Sequence, residues 1–284
     1  MKITTKKIGN KKYFYLKEST RNGKKVMTKE KYLGTSLHNN LDEITSELKK
    51  NLKKDLNKKL ESIKNHFQSE WKKIPESARK RELEEISIAF TYNTNAIEGS
   101  TITLEEAREI IHDKISPNKP LRDVREAESH SIVFLEMLNK KEEINNKLLL
   151  DWHQRIFGIT KSDISGKFRN YLVRVGSYLA PDWQEVEKMM RALIEFIKNK
   201  SKINPVELSA RAHYKFEKIH PFGDGNGRIG RLIINHILWH SGYPMLIIEY
   251  KKRRFYYKAL QKDEDGFVKY FIKRYLAVHK KRYL

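Results

Sequence analysis

The 284 residues contain no cysteine, which excludes disulfides, thiolate metal ligands and a cysteine nucleophile. No run of about 18 apolar residues occurs, and the N-terminus lacks the apolar stretch of a secretory signal. A soluble, cytoplasmic protein with no membrane role is expected. Apolar residues are sparse at 39%, against roughly 45–50% in ordinary soluble domains, while charged residues reach 33% against about 25%. The surface must be densely charged. No internal repeat or low-complexity linker is visible.

The formal net charge of +22 invites a polyanion-binding reading, since clustered Lys and Arg neutralise phosphates. Over most of the chain, however, the cations are interleaved with carboxylates: Arg79, Lys80 and Arg81 are followed by Glu82, Glu84 and Glu85. That is the pattern of a solvated, charge-rich surface. Residues 1–36 differ, with 11 Lys/Arg against only Glu18 and Glu30, a local balance of +9. Tyr13-Phe14-Tyr15-Leu16 is β-prone, Asn22-Gly23 is a hairpin-turn signal and Lys25 to Tyr32 can return as a strand. We read a small β-meander, a solvated appendage in preference to a nucleic-acid module.

From Asn40 the spacing becomes helical, with Leu41, Ile44, Leu48, Leu52, Leu56, Leu60 and Ile63 on one long amphipathic stripe. A second helix is expected from Pro75 towards Ile97. A third follows Thr103, a candidate N-cap, through Ala107, Ile110 and Ile111. Further helical patterns cover 122–140, 145–157, 184–199, 205–219, 227–241, 253–262 and 266–280. Residues 170–182 break the series, with β-prone residues on both sides of Gly176-Ser177, and predict a lone hairpin. The expectation is a mainly α protein in two parts, a basic β-rich segment 1–36 and a helical domain 37–284.

The densest chemical signal is His220-Pro221-Phe222-Gly223-Asp224-Gly225-Asn226-Gly227-Arg228-Ile229-Gly230-Arg231, set between two apolar helices. Glycines let backbone N–H groups turn inward, and the helix N-terminus that follows adds its positive dipole end, making an anion cradle. Arg228 and Arg231, three apart on the first helical turn, can grip phosphate oxygens. Asp224 is a hard oxygen ligand suited to Mg²⁺ carried by a nucleotide, and His220 stands beside the cradle as a general base. The Gly-Lys-Ser/Thr of a P-loop is missing, so ordinary NTPase chemistry is not implied. His213 reads as a packed core residue, and His236, His240 and His279 lack metal-ligand spacing.

This string resembles the Fic family signature His-x-Phe-x-(Asp/Glu)-Gly-Asn-Gly-Arg-x-x-Arg at every fixed position. The resemblance extends over most of residues 82–275. Gly166-Lys-Phe-Arg169 is similar to the segment before the family's flap, residues 170–181 to the flap hairpin, and Tyr256-Tyr257-Lys-Ala-Leu260 to the segment near the nucleotide base. The resemblance implies a Fic-type helical bundle with a β-hairpin flap. It implies that His220 deprotonates a Ser, Thr or Tyr hydroxyl of a target protein. Asp224 would hold Mg²⁺ on the α- and β-phosphates of ATP, and Asn226 with the backbone of Gly225 and Gly227 would cradle the α-phosphate. Arg228 and Arg231 would bind the β- and γ-phosphates. The glycine at position 227 stands where the family's phosphate-transferring branch has lysine, so AMP transfer is the implied reaction. Tyr256 and Tyr257 would either contact adenine or pack in the core. Tyr171, Leu172, Val173 and Tyr178 could align a target segment as an added strand.

Thr94-Asn-Ala-Ile-Glu98-Gly99 resembles the family's inhibitory pattern (Ser/Thr)-x-x-x-Glu-(Gly/Asn). The implication is a bidentate Glu98–Arg231 pair that occupies the fork needed by the γ-phosphate. The expected function is therefore an autoinhibited protein adenylyltransferase. Removal of AMP by a hydrolase of the same fold, and a nucleic-acid-associated regulator using residues 1–36, stay open beside it. Self-modification and a homodimer also stay open.

Overall fold

The computed structural model describes residues 2–22, 25–35, 41–199 and 203–284. It divides into two compact units, Met1–Lys58 and Lys59–Leu284. The first contains a three-stranded antiparallel meander of β1 (Lys2–Ile8), β2 (Lys11–Asn22) and β3 (Lys25–Gly34). The expected Tyr13 strand and its return are β2 and β3, while β1 pairs on the other edge of β2 and reverses through Gly9, whose φ is +59°. The expected turn at Asn22-Gly23 includes Gly23, which lies outside the described residues.

Helix α1 (Leu41–Lys73) crosses the boundary between the units, and its Leu60 and Ile63 are buried in the second one. There follow α2 (Glu76–Ile97), α3 (Leu104–Arg108), α4 (Leu121–Asn139), α5 (Asn146–Phe157), α6 (Val186–Lys198), α7 (Pro205–Ile219), α8 (Asn226–His240), α9 (Arg253–Leu260) and α10 (Glu264–Tyr283). The two-stranded hairpin β4 (Arg174–Val175) and β5 (Tyr178–Leu179) lies between α5 and α6, around Gly176-Ser177 as expected. Local chemistry explains several starts. Asn145 and Asn204 accept the Leu148 and Val206 N–H at 2.9 Å, and Pro205 occupies the first turn of α7. Thr103 and Glu106 form a reciprocal capping box at α3, as Thr103 suggested. The third expected helix is interrupted: residues Glu109–Asp113 form a π-helical turn that ends at Lys114 in the left-handed region.

The core of the larger unit joins the inner faces of α4, α5, α6, α7 and α8 through residues such as Phe134, Leu149, Met190, Phe216 and Leu232. Helix α8 is buried on nearly every side, so its N-terminus is fixed by packing rather than by surface contacts. No helix among the described residues is long and apolar enough to cross a membrane.

Candidate active site

Helix α7 ends at His220, whose left-handed backbone (φ 51°, ψ 60°) is unusual for a residue with a side chain and reverses the chain into the glycine loop. Gly225 makes the second reversal at φ +78°, and a Cβ there would run into the Phe157 ring. The loop is braced from inside. Asn226 Oδ1 accepts the Phe222 N–H and its Nδ2 donates to the Phe222 carbonyl, both at 2.9 Å. Asn226 thus shapes the loop with its side chain, while its backbone opens α8. The N–H groups of the first helical turn have no carbonyl one turn earlier to bond, so they converge on the space before the helix.

Glu98 already brings a carboxylate to that space. It caps α2, where Gly99 at φ +91° ends the helix, and its Oε1 accepts from Arg231 Nη2 at 2.7 Å. A Cβ at Gly227 would collide with the same Oε1, so glycine is what allows the carboxylate to lie against the α8 N-terminus. An anion is disfavoured at the C-terminal end of α2 and favoured at the N-terminal end of α8, and the contact with α8 prevails. Arg231 is 2% exposed and is also held by Thr94 Oγ1 and the Thr94 carbonyl; burial works to lower its pKa, but the charge and hydrogen bond of Glu98, with Tyr256 and Glu217 nearby, together outweigh burial and keep it firmly protonated.

The other arginine is engaged differently. Arg228 pairs with buried Glu126, donates to Asn95 Oδ1 at 3.2 Å and lies over the Phe157 ring. Glu126 also accepts from Lys161 Nζ at 2.7 Å and Thr160 Oγ1 at 2.8 Å. Burial alone would raise its pKa, but Arg228 and Lys161 outweigh burial and hold it below the ordinary carboxylate value. Two guanidinium donors, Arg228 Nε and Arg231 Nη1, are buried without an acceptor among the described residues. Asp224 is about half exposed; its carboxylate accepts from Lys161 Nζ at 3.1 Å and from the Gly225 N–H at 2.5 Å. Burial works to raise its pKa, and the neighbouring Lys161 and Arg228 bring it below the usual value nonetheless.

His220 is lowered from the ordinary histidine value, chiefly by burial, with the nearby Glu98 and Asp224 charges in partial opposition. Its carbonyl accepts from Arg169 Nε at 2.8 Å. The same guanidinium donates to the Tyr171 carbonyl at 2.8 Å and the Pro181 carbonyl at 2.6 Å, the two ends of the hairpin. Arg169 therefore ties the flap to the His220 loop. Tyr256 is buried with its hydroxyl 2.8 Å from His213 Nε2, which places both in the core, and Tyr257 donates to the Ile97 carbonyl at 2.9 Å, beside Glu98.

Local sequence reading passed over Glu126, Lys161, His153 and Glu217. His153 stacks on Phe222 at 3.9 Å, accepts the Gly166 N–H on Nδ1 and so donates from Nε2 to the Asp224 carbonyl, a neutral tautomer whose pKa burial lowers to about 4. Glu217 sits behind the Glu98–Arg231 pair with its pKa raised to about 7, first by burial and then by Glu98. The available signal was a polar residue on the inward stripe of an amphipathic helix, as Glu126 is beside Val124 and Ala127.

Fold and site together define a helical domain with an anion-binding glycine loop, a histidine beside it and a carboxylate held against its second arginine. The Fic/DOC family model matches residues 143–238. The chain is 33% identical over 201 residues to "Protein adenylyltransferase Fic" of Nematostella vectensis, covering 68% of this chain and 47% of that protein. It is 32% identical over 223 residues to "Protein adenylyltransferase fic-1" of Caenorhabditis elegans, covering 76% and 42%. It therefore spans less than half the length of these curated relatives. The solved structure of C. elegans Fic-1 superposes with a TM-score of 0.69 at 28% identity, covering 83% of this chain and 74% of that one. A Fic family protein of Desulfovibrio desulfuricans gives 0.68 at 26% identity, covering 80% and 72%. Residues 143–238 are thus a Fic/DOC family domain.

Proposed function

We propose that the protein is an adenylyltransferase that moves AMP from ATP onto a hydroxyl side chain of a target protein, and that Glu98 restrains it. The observation that carries this reading is the Glu98 carboxylate lying on the α8 N-terminus against Arg231, an anion in the position where phosphate chemistry would be done. The buried, acceptor-free donors on Arg228 and Arg231 fit phosphate oxygens. The adenylyltransferase names of the curated relatives support the same reaction.

In the proposed step the target's Ser, Thr or Tyr oxygen attacks the α-phosphorus as neutral His220 takes its proton, the bond to the bridging oxygen breaks and pyrophosphate leaves. The α8 N-terminus with Gly225 and Gly227 faces the α-phosphate, and Arg231 is the ligand for the γ-phosphate once Glu98 withdraws. Arg228, already balanced by Glu126, stabilises the β-phosphate charge through its remaining donors. Asp224 offers one carboxylate, and no group of three or more His, Asp or Glu among the described residues could hold a metal alone. That donor set fits Mg²⁺ brought in on ATP phosphates, where it would supply charge neutralisation. Tyr171, Leu172 and Leu179 leave apolar surface exposed on the flap, consistent with alignment of a target segment there.

Incubation with ATP labelled separately at the α and γ positions tests the reaction. Label from the α position alone should reach protein, whether a target or the enzyme itself. Transfer of γ label, or of neither by a Glu98→Gly variant offered candidate substrates, would overturn it.

A further inference from the structure

The positive charge of this chain is not evenly distributed. Residues 1–36 carry 11 Lys/Arg against 2 Glu, whereas the other 248 residues carry 47 against 34 Asp/Glu. A general surface-solvation requirement explains the second distribution and not the first. The strand register shows where the charge goes. Three lysines stand at the Gly9 turn: Lys7 directly opposite Lys12 on one face of the sheet, and Lys11, paired with Ile8, on the other. None of the three has a carboxylate partner among the described residues. Like charges directly across a ladder oppose folding, so this end of the hairpin is built against its own stability.

The register also aligns aromatic rings. Thr4 pairs with Tyr15, Lys6 with Tyr13 and Tyr15 with Tyr32, which puts Tyr13, Tyr15, Tyr32, Lys6 and Lys17 on one face of the sheet. The ring centroids of Tyr13 and Tyr15 lie 6.1 and 5.4 Å from that of Tyr32, and Lys6 Nζ lies over the Tyr15 ring at 4.6 Å. Tyr32 is half exposed, while Leu33, its neighbour in sequence, is buried. One carboxylate, Glu30, bridges Lys6 and Lys17 at the edge of this row.

We propose that this tyrosine face, with Lys6, Lys11 and Lys17 along it, is a binding surface for single-stranded nucleic acid. Unpaired bases stack on aromatic rings whatever their sequence, while lysines follow the phosphates. A duplex hides its base faces and would leave the tyrosines without a role. An acidic protein would need the lysines alone. The tyrosine row therefore selects a single strand, of RNA or DNA.

The test uses the full chain and fluorescein-labelled 20-nucleotide poly-U, poly-dT and a duplex of equal length, followed by anisotropy across a salt series. Wild type should bind the single strands more tightly than the duplex. Tyr32→Ala should weaken that binding about tenfold, the usual effect of losing one stacking ring, and Tyr32→Phe should retain it. Lys6→Gln, Lys11→Gln and Lys17→Gln combined, all on the tyrosine face, should lower the slope of log affinity against log salt by about two. Circular dichroism of each variant checks that it is folded. The proposal fails if single strands do not bind at low salt, if duplex binds as well as single strand, or if folded Tyr32 and lysine variants bind as wild type does. In the last case the remainder of the basic surface is responsible. A difference between poly-U and poly-dT identifies which single strand the surface prefers.

Discussion

A neutral imidazole is the form of histidine that can accept a proton, and burial keeps His220 in that form by lowering its pKa. The rate of transfer should fall only when pH drops through this lowered value, so the acid limb of the kcat profile should lie below the ordinary histidine pKa of about 6.5. His220→Ala should abolish transfer yet leave ATP affinity nearly unchanged, because a base acts in the transition state. Nucleotide binding by calorimetry, beside labelled-ATP kinetics, separates the two effects; a variant with substantial activity would remove His220 from the role. Glu217 works in the opposite sense. Its carboxyl is raised to about 7 by burial and by Glu98, against the opposing pull of Arg231 and Lys218. The folded protein thus holds an extra proton between about pH 4.3, the unfolded value, and 7. The contribution of Glu217 to stability should be greatest below that window and fall as pH rises through it, by about 4 kcal/mol at most. His213 acts in the opposite sense over the same range: burial lowers it to about 3, so only the unfolded chain, near 6.5, takes up its proton there. Denaturant unfolding at pH 5, 6, 7 and 8 should show wild type losing stability relative to Glu217→Gln as pH rises; a constant difference between the two would assign the titration elsewhere.

Between secondary elements, the informative contact is the Arg169 fork, which joins the His220 carbonyl to the Tyr171 and Pro181 carbonyls at either end of the hairpin. Lysine carries the charge but cannot hold three fixed directions at once. Arg169→Lys should therefore lower target modification about tenfold or more with a smaller change in ATP affinity, and should speed hydrogen exchange across residues 170–182. Unchanged exchange in a slowed enzyme would place Arg169 in direct chemistry instead. Most helices were legible because their apolar residues recur at helical spacing, as along Leu41 to Ile63. The hairpin was legible from Gly176-Ser177. The π-helical turn at Glu109 was not, since it preserves the apolar inward positions Ile110 and Ile111 and alters only the backbone. Strand β1 was missed because its run of lysines and threonines lacks the apolar alternation that marks a strand, and only pairing with β2 organises it. Within the site, the glycine loop and its histidine are contiguous and could be read directly. Glu126 pairs with Arg228 across 102 positions of sequence, and no local pattern announces such a pair.

Across the larger unit as a whole, the end of α2 and the start of α8 meet although Glu98 and Arg231 are 133 residues apart. Their pairing was expected only through the resemblance of two separate motifs; the packed core is what brings them within 2.7 Å. If this contact is the brake, Glu98→Gly should release the Arg231 fork for the γ-phosphate and raise modification roughly tenfold or more. The effect should fall on activity more than on stability. Removing one partner of a buried pair can cost about 3–5 kcal/mol, but Glu98 is about 30% exposed and Arg231 retains Thr94 as a partner through Oγ1 and the carbonyl. A folded, ATP-binding and faster variant is expected. Arg231→Ala should be inactive, and Glu98→Gly should not rescue it, because relief of inhibition has no value when the phosphate ligand is gone. The two changes should therefore be strongly non-additive, as contacting residues are. The four proteins of the cycle, assayed with α-labelled ATP and with a pre-modified target, give distinct outcomes. Equal rates for wild type and Glu98→Gly would show that Glu98 is not the brake. Loss of AMP removal in Glu98→Gly, without any gain in AMP addition, would instead assign Glu98 to orienting a water and make the protein a hydrolase.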